Sequence, residues 1–165
     1  MKKIIKELSP YIMIIIVVVL IRTFIVTPVI VVGDSMVPTL KNRQILLLNK
    51  VKYVIDDIDR FDVVVIKVGK SEIIKRVIGL PGETVEYLDN KLYINGHELE
   101  NDYNYATDDF ALSDICNCET IPKDKYLVLG DNRSVSSDSR IIGLIDKKDI
   151  EGQTKVSLWP IKKVK

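Results

Sequence analysis

An uninterrupted run of apolar residues near the amino terminus limits what this chain can fold into more than any other feature. Every residue from Tyr11 to Ile21 is apolar, and the apolar character extends from Leu8 to residues 24–26. A helix needs about 20 such residues to cross the hydrocarbon core of a bilayer. Arg22, close to the end of the stretch, can extend to the lipid headgroups. The run therefore predicts one membrane-spanning helix.

The residues around this run predict how the helix is oriented. Three lysines precede it, at positions 2, 3 and 6, which favours a cytoplasmic amino terminus. A cleaved signal peptide would need small residues after the apolar core, and residues 22–26 provide none. A buried strand of a soluble protein rarely has so long an apolar run after a lysine-rich start. We expect an uncleaved single-pass anchor in the cell membrane (residues 1–27) and an extracellular domain (residues 28–165).

After Pro28 the pattern changes to short, β-branched-rich segments separated by Gly, Pro, Asn and Asp, which is typical of strands and turns. The expected strands are residues 29–32, 44–48, 62–68, 72–78, 84–88, 91–94, 98–100 and 126–129. Residues 101–119, rich in Asp and Asn, are expected to form a long loop and the least ordered part. The predicted domain is mainly β, antiparallel and partly closed.

The composition excludes some classes of protein. Lys plus Arg number 24 and Asp plus Glu 23, so no basic excess indicates a nucleic acid partner. The two cysteines, Cys116 and Cys118, are too few for a disulfide framework. Separated by one residue, they could close a small ring or form half of a metal site, but we expect free thiols.

Ser35 is the candidate nucleophile, in the stretch Gly-Asp-Ser-Met-Val-Pro-Thr-Leu of residues 33–40. A serine needs a base to act as a nucleophile, so this stretch alone could equally be a polar turn. The single histidine, His97, follows Asn95 and Gly96, a pair typical of a two-residue hairpin turn. We therefore expect His97 to be exposed, which disfavours a Ser-His-Asp triad and leaves a lysine as the base.

Lys75 is the candidate base. On a strand it shares one face with Ile73 and Val77, while Ile74 and Arg76 share the other. Burial between apolar neighbours lowers the pKa of a lysine, and the neutral amine can accept a proton. The alternative is an exposed lysine on an edge strand.

The polar stretch of residues 130–140 could support a nearby site or be a solvated loop. Its sequence allows Asp131 or Asp138 to pair with Arg133 or Arg140.

Four stretches together resemble the bacterial type I signal peptidases, in the order of that family: residues 35–40, 60–64, 75–82 and 130–140. The resemblance spans nearly the whole chain except residues 101–119, and the short span from Lys75 to Gly130 matches the compact Gram-positive type. Two positions depart from the usual pattern. Arg43 and Gln44 stand where Gly-Asp is frequent, and Gly33 stands where some members have a serine.

The resemblance implies a membrane-anchored serine endopeptidase that removes signal peptides from exported preproteins after Ala-x-Ala-like sites. Ser35 would be the nucleophile and Lys75 the general base. Ser136 would orient the Lys75 amine, and Asp138 with Arg140 would hold the loop in place. The implied fold is a β-rich, partly barrel-like catalytic domain on the outer face of the membrane.

The resemblance also implies that the substrate binds as an added β-strand. The segments matching the family's substrate-binding positions contain Val31, Val32, Gly33, Met36, Leu40, Ile73 and Ile74. The expected partners are signal peptides and the lipid bilayer, without nucleic acid, and the expected protein is a monomer with no cofactor and no metal.

Two other functions have to be compared with this one. Self-cleaving repressors also use a Ser-Lys pair, but they require a DNA-binding helical domain and an internal Ala-Gly cleavage site, which this chain lacks. An anchored β-domain that binds exported chains without cutting them is the non-enzymatic alternative.

Overall fold

The computed structural model describes residues 2–51, 57–100, 103 and 105–164. It begins with helix α1 (Lys2–Phe24), whose described apolar side chains from Leu8 to Ile21 are exposed. Among the described residues, no helix combines the length and the hydropathy that crossing a membrane requires. The membrane span therefore stays a prediction.

The remainder of the described chain is built mainly from strands, as predicted. They are β1 (Val26–Ile30), β2 (Ile45–Asn49), β3 (Val63–Val68), β4 (Ser71–Gly79), β5 (Val85–Leu88), β6 (Lys91–Ile94), β7 (His97–Glu98), β8 (Phe110–Ala111), β9 (Lys125–Leu129), β10 (Ile145–Asp146), β11 (Ile150–Trp159) and β12 (Ile161–Lys163). A short helix, α2 (Ser139–Ile142), follows β9.

The strands form two antiparallel sheets. The eight-stranded sheet has the order β1-β2-β11-β3-β4-β9-β10, with β12 paired to β11. The four-stranded sheet has the order β7-β6-β5-β8. In the described part of the chain the larger sheet does not close on itself, because β1 and β10 remain at its two ends.

Strand β4 lies between β3 and β9 in the larger sheet, and both of its faces are buried from Lys75 to Gly79. Ile73 and Val77 pack into one apolar cluster, together with residues of β3 and β9. Ile78 belongs to a second cluster with the smaller sheet, and Ile74 packs against a third, around Met36. The alternation expected along this strand is thus confirmed, and it places Lys75 on the side of Ile73 and Val77.

Strand β11 is the longest strand and was not predicted. Apart from Ile150 at its start, its buried side chains are polar: Gln153, Thr154 and Ser157. Gln153 donates a hydrogen bond to Asp62, which satisfies a buried amide that would otherwise be costly. The pairing of this strand contains register irregularities. Its sequence also lacks the regular apolar alternation by which a strand is predicted.

The division into a membrane anchor and an outer domain stays a prediction, and the structure shows only where the helix and the first strand lie. Helix α1 ends at Phe24, and β1 already begins at Val26, so the expected boundary after residue 27 falls inside a strand. The physical reason is strand pairing, since β2 pairs with β1 from Val26 onwards. Pro28 lies within β1, an edge strand, where a missing N–H is tolerated.

The stretch predicted to be a long loop is more structured than expected. Its described part contains β8, which pairs with β5, and a 3-10 turn at Leu112–Asp114. Cys116 and Cys118 form a disulfide, so the expectation of free thiols was wrong. Apolar residues of this stretch, Leu112 and Phe110, pack in the second cluster, and burying them orders a segment whose composition is polar.

Candidate active site

Ser35 lies in a loop that follows β1 and is anchored by buried apolar residues on both sides. Val31, Met36 and Leu40 are buried in the third apolar cluster. Within the loop, the Val37 N–H donates to Asp34 O at 3.1 Å and the Leu40 N–H donates to Met36 O at 2.8 Å. Gly33 adopts a positive φ of 89°, a conformation that favours glycine, where the chain turns into this loop. The Ser35 side chain is therefore held in place.

Lys75 contacts Ser35 directly. Its Nζ donates to Ser35 Oγ at 2.8 Å, although the two residues are 40 positions apart in the sequence. The Lys75 side chain is buried, with 3% of its surface exposed. The expectation of a buried lysine next to the serine is thus met, and the alternative of an exposed edge-strand lysine is not.

The environment lowers the pKa of Lys75. Burial is the main cause, because it disfavours the ammonium form. The carboxylates of Asp138 and Asp131 oppose this effect, and the guanidinium of Arg140 adds to it. The net effect favours a neutral amine at a lower pH than in free lysine, and a neutral amine can accept a proton from a serine hydroxyl.

A small groove opens beside these two residues. It has a volume of about 220 Å³ and is lined by Val29, Ile30, Val32, Glu72, Ile73 and Ile74 in addition to Ser35 and Lys75. Val32 is the most open of the apolar residues, with 88% of its surface exposed. The groove lies between two strand edges, those of β1 and of the first half of β4.

Both of these edges have unused pairing capacity in the described structure. Strand β1 pairs only with β2. Strand β4 pairs with β9 from Arg76 onwards, so Ser71 to Lys75 have β3 on one side only. An extended peptide in the groove could therefore hydrogen-bond to a strand edge.

Only some of the predicted substrate-binding residues line this groove. Val32, Ile73 and Ile74 do. Val31, Met36 and Leu40 are instead buried in the third apolar cluster, where they support the loop that carries Ser35. Gly33 is exposed at the loop and is not one of the residues lining the groove.

A buried ion pair fixes the segment behind Lys75. Arg76 donates from Nε and Nη2 to the two carboxylate oxygens of Asp131, at 2.8 and 2.7 Å, and both side chains are almost fully buried. Arg76 also donates to Phe61 O at 2.9 Å and to Thr39 Oγ1 at 3.3 Å. The sequence suggested a partner for Asp131 within its own loop, whereas the actual partner is on β4. This geometry ties the Ser35 loop, β4 and the polar loop together.

Asp138 and Arg140 form a second ion pair, as expected. Arg140 Nε donates to Asp138 Oδ1 at 2.9 Å, and the Gly130 N–H donates to Asp138 Oδ2 at 3.0 Å. Burial alone would raise the pKa of Asp138, but Arg140, the Gly130 N–H and the nearby Ser136 hydroxyl outweigh it and lower that pKa. Arg140 also donates to Arg133 O at 2.7 Å, which closes the loop on itself.

Ser136 is buried close to this pair, but its hydroxyl does not form the hydrogen bond to the Lys75 amine that the resemblance implies. Its hydroxyl forms no well-aligned hydrogen bond to the residues that the structure describes, although it lies close enough to the Asp138 carboxylate to help lower the pKa of that group. It packs against Gly130, where an added β-carbon would overlap the Ser136 side chain. An unsatisfied buried hydroxyl is rare and often belongs to a functional site.

Three residues of the predicted loop were missed as contributors to the site. Arg76 lies over the ring of Tyr103, 3.9 Å from its centroid. Tyr105 OH lies 3.0 Å from Thr39 Oγ1, and Arg133 donates to Thr107 Oγ1. No pattern in the sequence indicates these contacts, although two tyrosines in a stretch rich in Asp and Asn were a weak signal.

His97 takes no part in the site. It is exposed on β7, directly after the Asn95-Gly96 turn, and it pairs with Ile94 in the smaller sheet. Asn95 and Gly96 have the positive φ values, 52° and 75°, that such a hairpin turn requires. The prediction of an exposed histidine is confirmed.

Comparisons with known proteins show the family to which this chain belongs. The family described as "Signal peptidase, peptidase S26" matches residues 4–159. Signal peptidase IB of Staphylococcus aureus (strain COL) is 41% identical over 157 residues, which cover 86% of this chain and 82% of that protein. Signal peptidase I S of Bacillus subtilis (strain 168) is 39% identical over 160 residues, covering 88% and 84%.

A solved structure is also similar. The crystal structure of a signal peptidase I from Enterococcus faecalis V583 shares 41% sequence identity with a TM-score of 0.55, covering 60% of this chain and 97% of that one. Fold, site and relatives together define a serine peptidase. The chain belongs to the signal peptidase family, peptidase S26, and within it to the signal peptidase I enzymes.

Proposed function

We propose that this protein removes amino-terminal signal peptides from exported preproteins, cutting after Ala-x-Ala-like sites with Ser35 as nucleophile and Lys75 as general base. The observation that carries the proposal is the 2.8 Å contact between the buried Lys75 amine and the Ser35 hydroxyl. A nucleophile and its base must lie within hydrogen-bond distance, and this pair does.

The reaction begins with attack of Ser35 Oγ on the scissile carbonyl carbon, while its proton passes to Lys75 Nζ. The carbonyl oxygen becomes an oxyanion, which the Ser35 N–H stabilises. Collapse of this intermediate breaks the C–N bond, and Lys75 returns the proton to the leaving amine. A water molecule, deprotonated by Lys75, then attacks the resulting ester, and Ser35 Oγ regains its proton as the signal peptide is released.

Three further residues support Lys75. The hydroxyl of Ser136, which has no well-aligned hydrogen bond in the described structure, is available to orient the amine once the substrate is bound. The pair of Asp138 and Arg140 fixes the loop that carries Ser136. Because Asp138 also accepts from the Gly130 N–H, the end of β9 is held at the same time.

The substrate binds in the groove as an extended strand between β1 and β4. The two partly unpaired edges support this mode, since they offer backbone groups to an added chain. The volume of about 220 Å³ and the apolar side chains of Val32, Ile73 and Ile74 favour small apolar side chains such as alanine.

A cleavage assay with a synthetic peptide in detergent tests this specificity. The full-length protein should cut an Ala-x-Ala peptide after the second alanine, as mass spectrometry of the products would show. The matched control peptide carries leucine in place of that alanine, and its kcat/KM should be at least about tenfold lower because the larger side chain does not fit. Equal cleavage of both peptides, or a cut elsewhere, would contradict the proposed specificity.

We also propose that the enzyme is a monomer held in the cell membrane by α1, with its catalytic domain outside the cell. The support is the exposed apolar side chains on α1 and the three lysines that precede the apolar run. Apolar side chains where β11 turns into β12, Trp159 and Ile161, are also 70% and 85% exposed, which suits a surface next to lipid.

Protease added to intact protoplasts tests this topology. The catalytic domain after Val26 should be digested, because an external protease reaches only what lies outside the membrane. A cytoplasmic protein probed in the same sample serves as the control and should stay intact until detergent is added. Full protection of the catalytic domain before lysis would overturn the proposed orientation.

A further inference from the structure

Asn132 donates hydrogen bonds to the carbonyl groups on both sides of the Ser35 Cα, those of Asp34 and Ser35. Its side-chain Nδ2 donates to Asp34 O at 3.2 Å, and its backbone N–H donates to Ser35 O at 2.9 Å. The residue comes from the polar loop after β9, 98 positions away from Asp34. It thereby connects the loop of the nucleophile to a different part of the chain.

The surroundings fix the orientation of the Asn132 amide. Asp34 O can only accept a hydrogen bond, so the NH₂ group must face it. Ser134 Oγ donates to Asn132 Oδ1 on the other side, at 3.1 Å. The neighbouring Asp131 is fixed by its ion pair with Arg76, so Asn132 is attached to a rigid part of the structure.

The Ser35 loop also packs tightly against this segment. A β-carbon added to Gly130 would lie only 2.5 Å from Ser35 O. Asp34 O accepts a second hydrogen bond from the Val37 N–H, at 3.1 Å, but that bond lies inside the loop and would move with it. Asn132 is thus the contact that fixes this carbonyl relative to the rest of the site.

The direction of this carbonyl determines the direction of the Ser35 N–H. Asp34 C=O and Ser35 N–H belong to one planar trans peptide unit, in which the two groups point in opposite directions. In the described part of the chain, the Ser35 N–H donates to no acceptor, so it is available to an oxyanion. The Ser35 N–H stabilises an oxyanion well only if it already points at the position that the oxyanion will occupy.

We propose that Asn132 is a positioning residue that aims the Ser35 N–H at the oxyanion formed during cleavage. The inference rests on the proposed role of Ser35 as nucleophile. Asn132 touches neither the substrate nor the reacting atoms, and it acts only through the peptide unit between Asp34 and Ser35. Its loss should therefore affect stabilisation of the transition state more than binding of the substrate.

The test compares Asn132→Ala and Asn132→Asp with Asn42→Ala in the full-length protein, using the Ala-x-Ala peptide. Asn42 is a matched control, because it also holds the nucleophile loop through one side-chain bond, from the Gly33 N–H at 3.3 Å. We expect kcat to fall roughly 10- to 100-fold in Asn132→Ala, with KM within about twofold. The loss should be somewhat smaller than when an oxyanion donor is removed altogether, because the Ser35 N–H is still present but less well oriented. Asn132→Asp should be slower still, since a carboxylate oxygen would face Asp34 O. Asn42→Ala should stay close to wild type.

A peptide boronic acid ending in Ala-x-boroalanine provides a second readout. Ser35 Oγ adds to the boron, and a hydroxyl of the tetrahedral adduct occupies the place of the oxyanion. The inhibition constant should rise in Asn132→Ala by about the same factor as kcat falls, while the affinity for the uncleaved peptide stays unchanged. A purely structural role would weaken both.

The outcomes separate this inference from the proposed function. Wild-type kcat in Asn132→Ala, or an equal loss in Asn42→Ala, would overturn the positioning role while leaving Ser35 as nucleophile. Full activity of Ser35→Ala in the same assay would instead overturn the proposed function. If Asn132→Ala does not fold, Ser134→Ala removes only the hydroxyl that orients the amide. It should then lower kcat several-fold at constant KM, and an unchanged kcat would refute the inference.

Discussion

Replacing Ser35 by alanine should abolish cleavage of the Ala-x-Ala peptide while leaving the protein folded. Loss of the nucleophile is expected to lower kcat on the order of 10⁴-fold or more, as for other serine peptidases. The free energy of unfolding should change by no more than about 1 kcal/mol, because Ser35 is only partly buried and a small side chain replaces it. The assay measures product formation, and urea unfolding measures stability.

Ser137→Ala serves as the matched control for this change. Ser137 is an exposed serine in the polar loop, so its replacement should leave kcat near the wild-type value. Substantial turnover by Ser35→Ala would mean that the nucleophile is a different residue.

Lys75→Arg should be nearly inactive, because a guanidinium stays charged and cannot accept the serine proton. The wild-type pH profile should also depend on the ionisation of Lys75. At low pH the Lys75 amine is protonated and cannot act as a base, so kcat/KM should rise as the amine loses its proton. Because burial lowers the pKa of Lys75 below its ordinary value of 10.5, this rise should occur at a lower pH than for free lysine.

Two variants serve as controls in this experiment. Lys67→Arg makes the same substitution at an exposed lysine on β3, and His97→Ala removes the single histidine. Both should retain wild-type activity and the same pH profile. Retained activity in Lys75→Arg, or its loss in His97→Ala, would refute the assignment of Lys75 as the base.

The features that the sequence predicted well are those set by local chemistry. The alternation along β4 placed Lys75 beside Ile73 and Val77, because successive side chains on a strand point to opposite faces. The Asn95-Gly96 turn followed from the positive φ that these residues tolerate. The contact between Ser35 and Lys75 was expected from chemical need and from the resemblance, since no local pattern indicates it.

The features that were missed depend on partners that are distant in the sequence. Strand β11 buries Gln153 and Ser157, which look like surface residues until Asp62 and a neighbouring backbone carbonyl are brought to them. Asp131 has two arginines in its own loop and still pairs with Arg76. Tyr103 contacts the site through a cation–π interaction that no spacing rule predicts.

The ion pair between Arg76 and Asp131 has a consequence for when the enzyme can become active during its folding. Ser35 and Lys75 are separated by 40 residues, Arg76 and Asp131 by 55, and Asp34 and Asn132 by 98. Contacts between such distant segments form slowly, because loop closure costs entropy before the contacts repay it. A chain that has only its local hairpins formed therefore has no complete site. If Ser35 and Lys75 act as proposed, we therefore expect proteolytic activity to appear only after the last segment has docked, so that a half-folded molecule does not cut its neighbours.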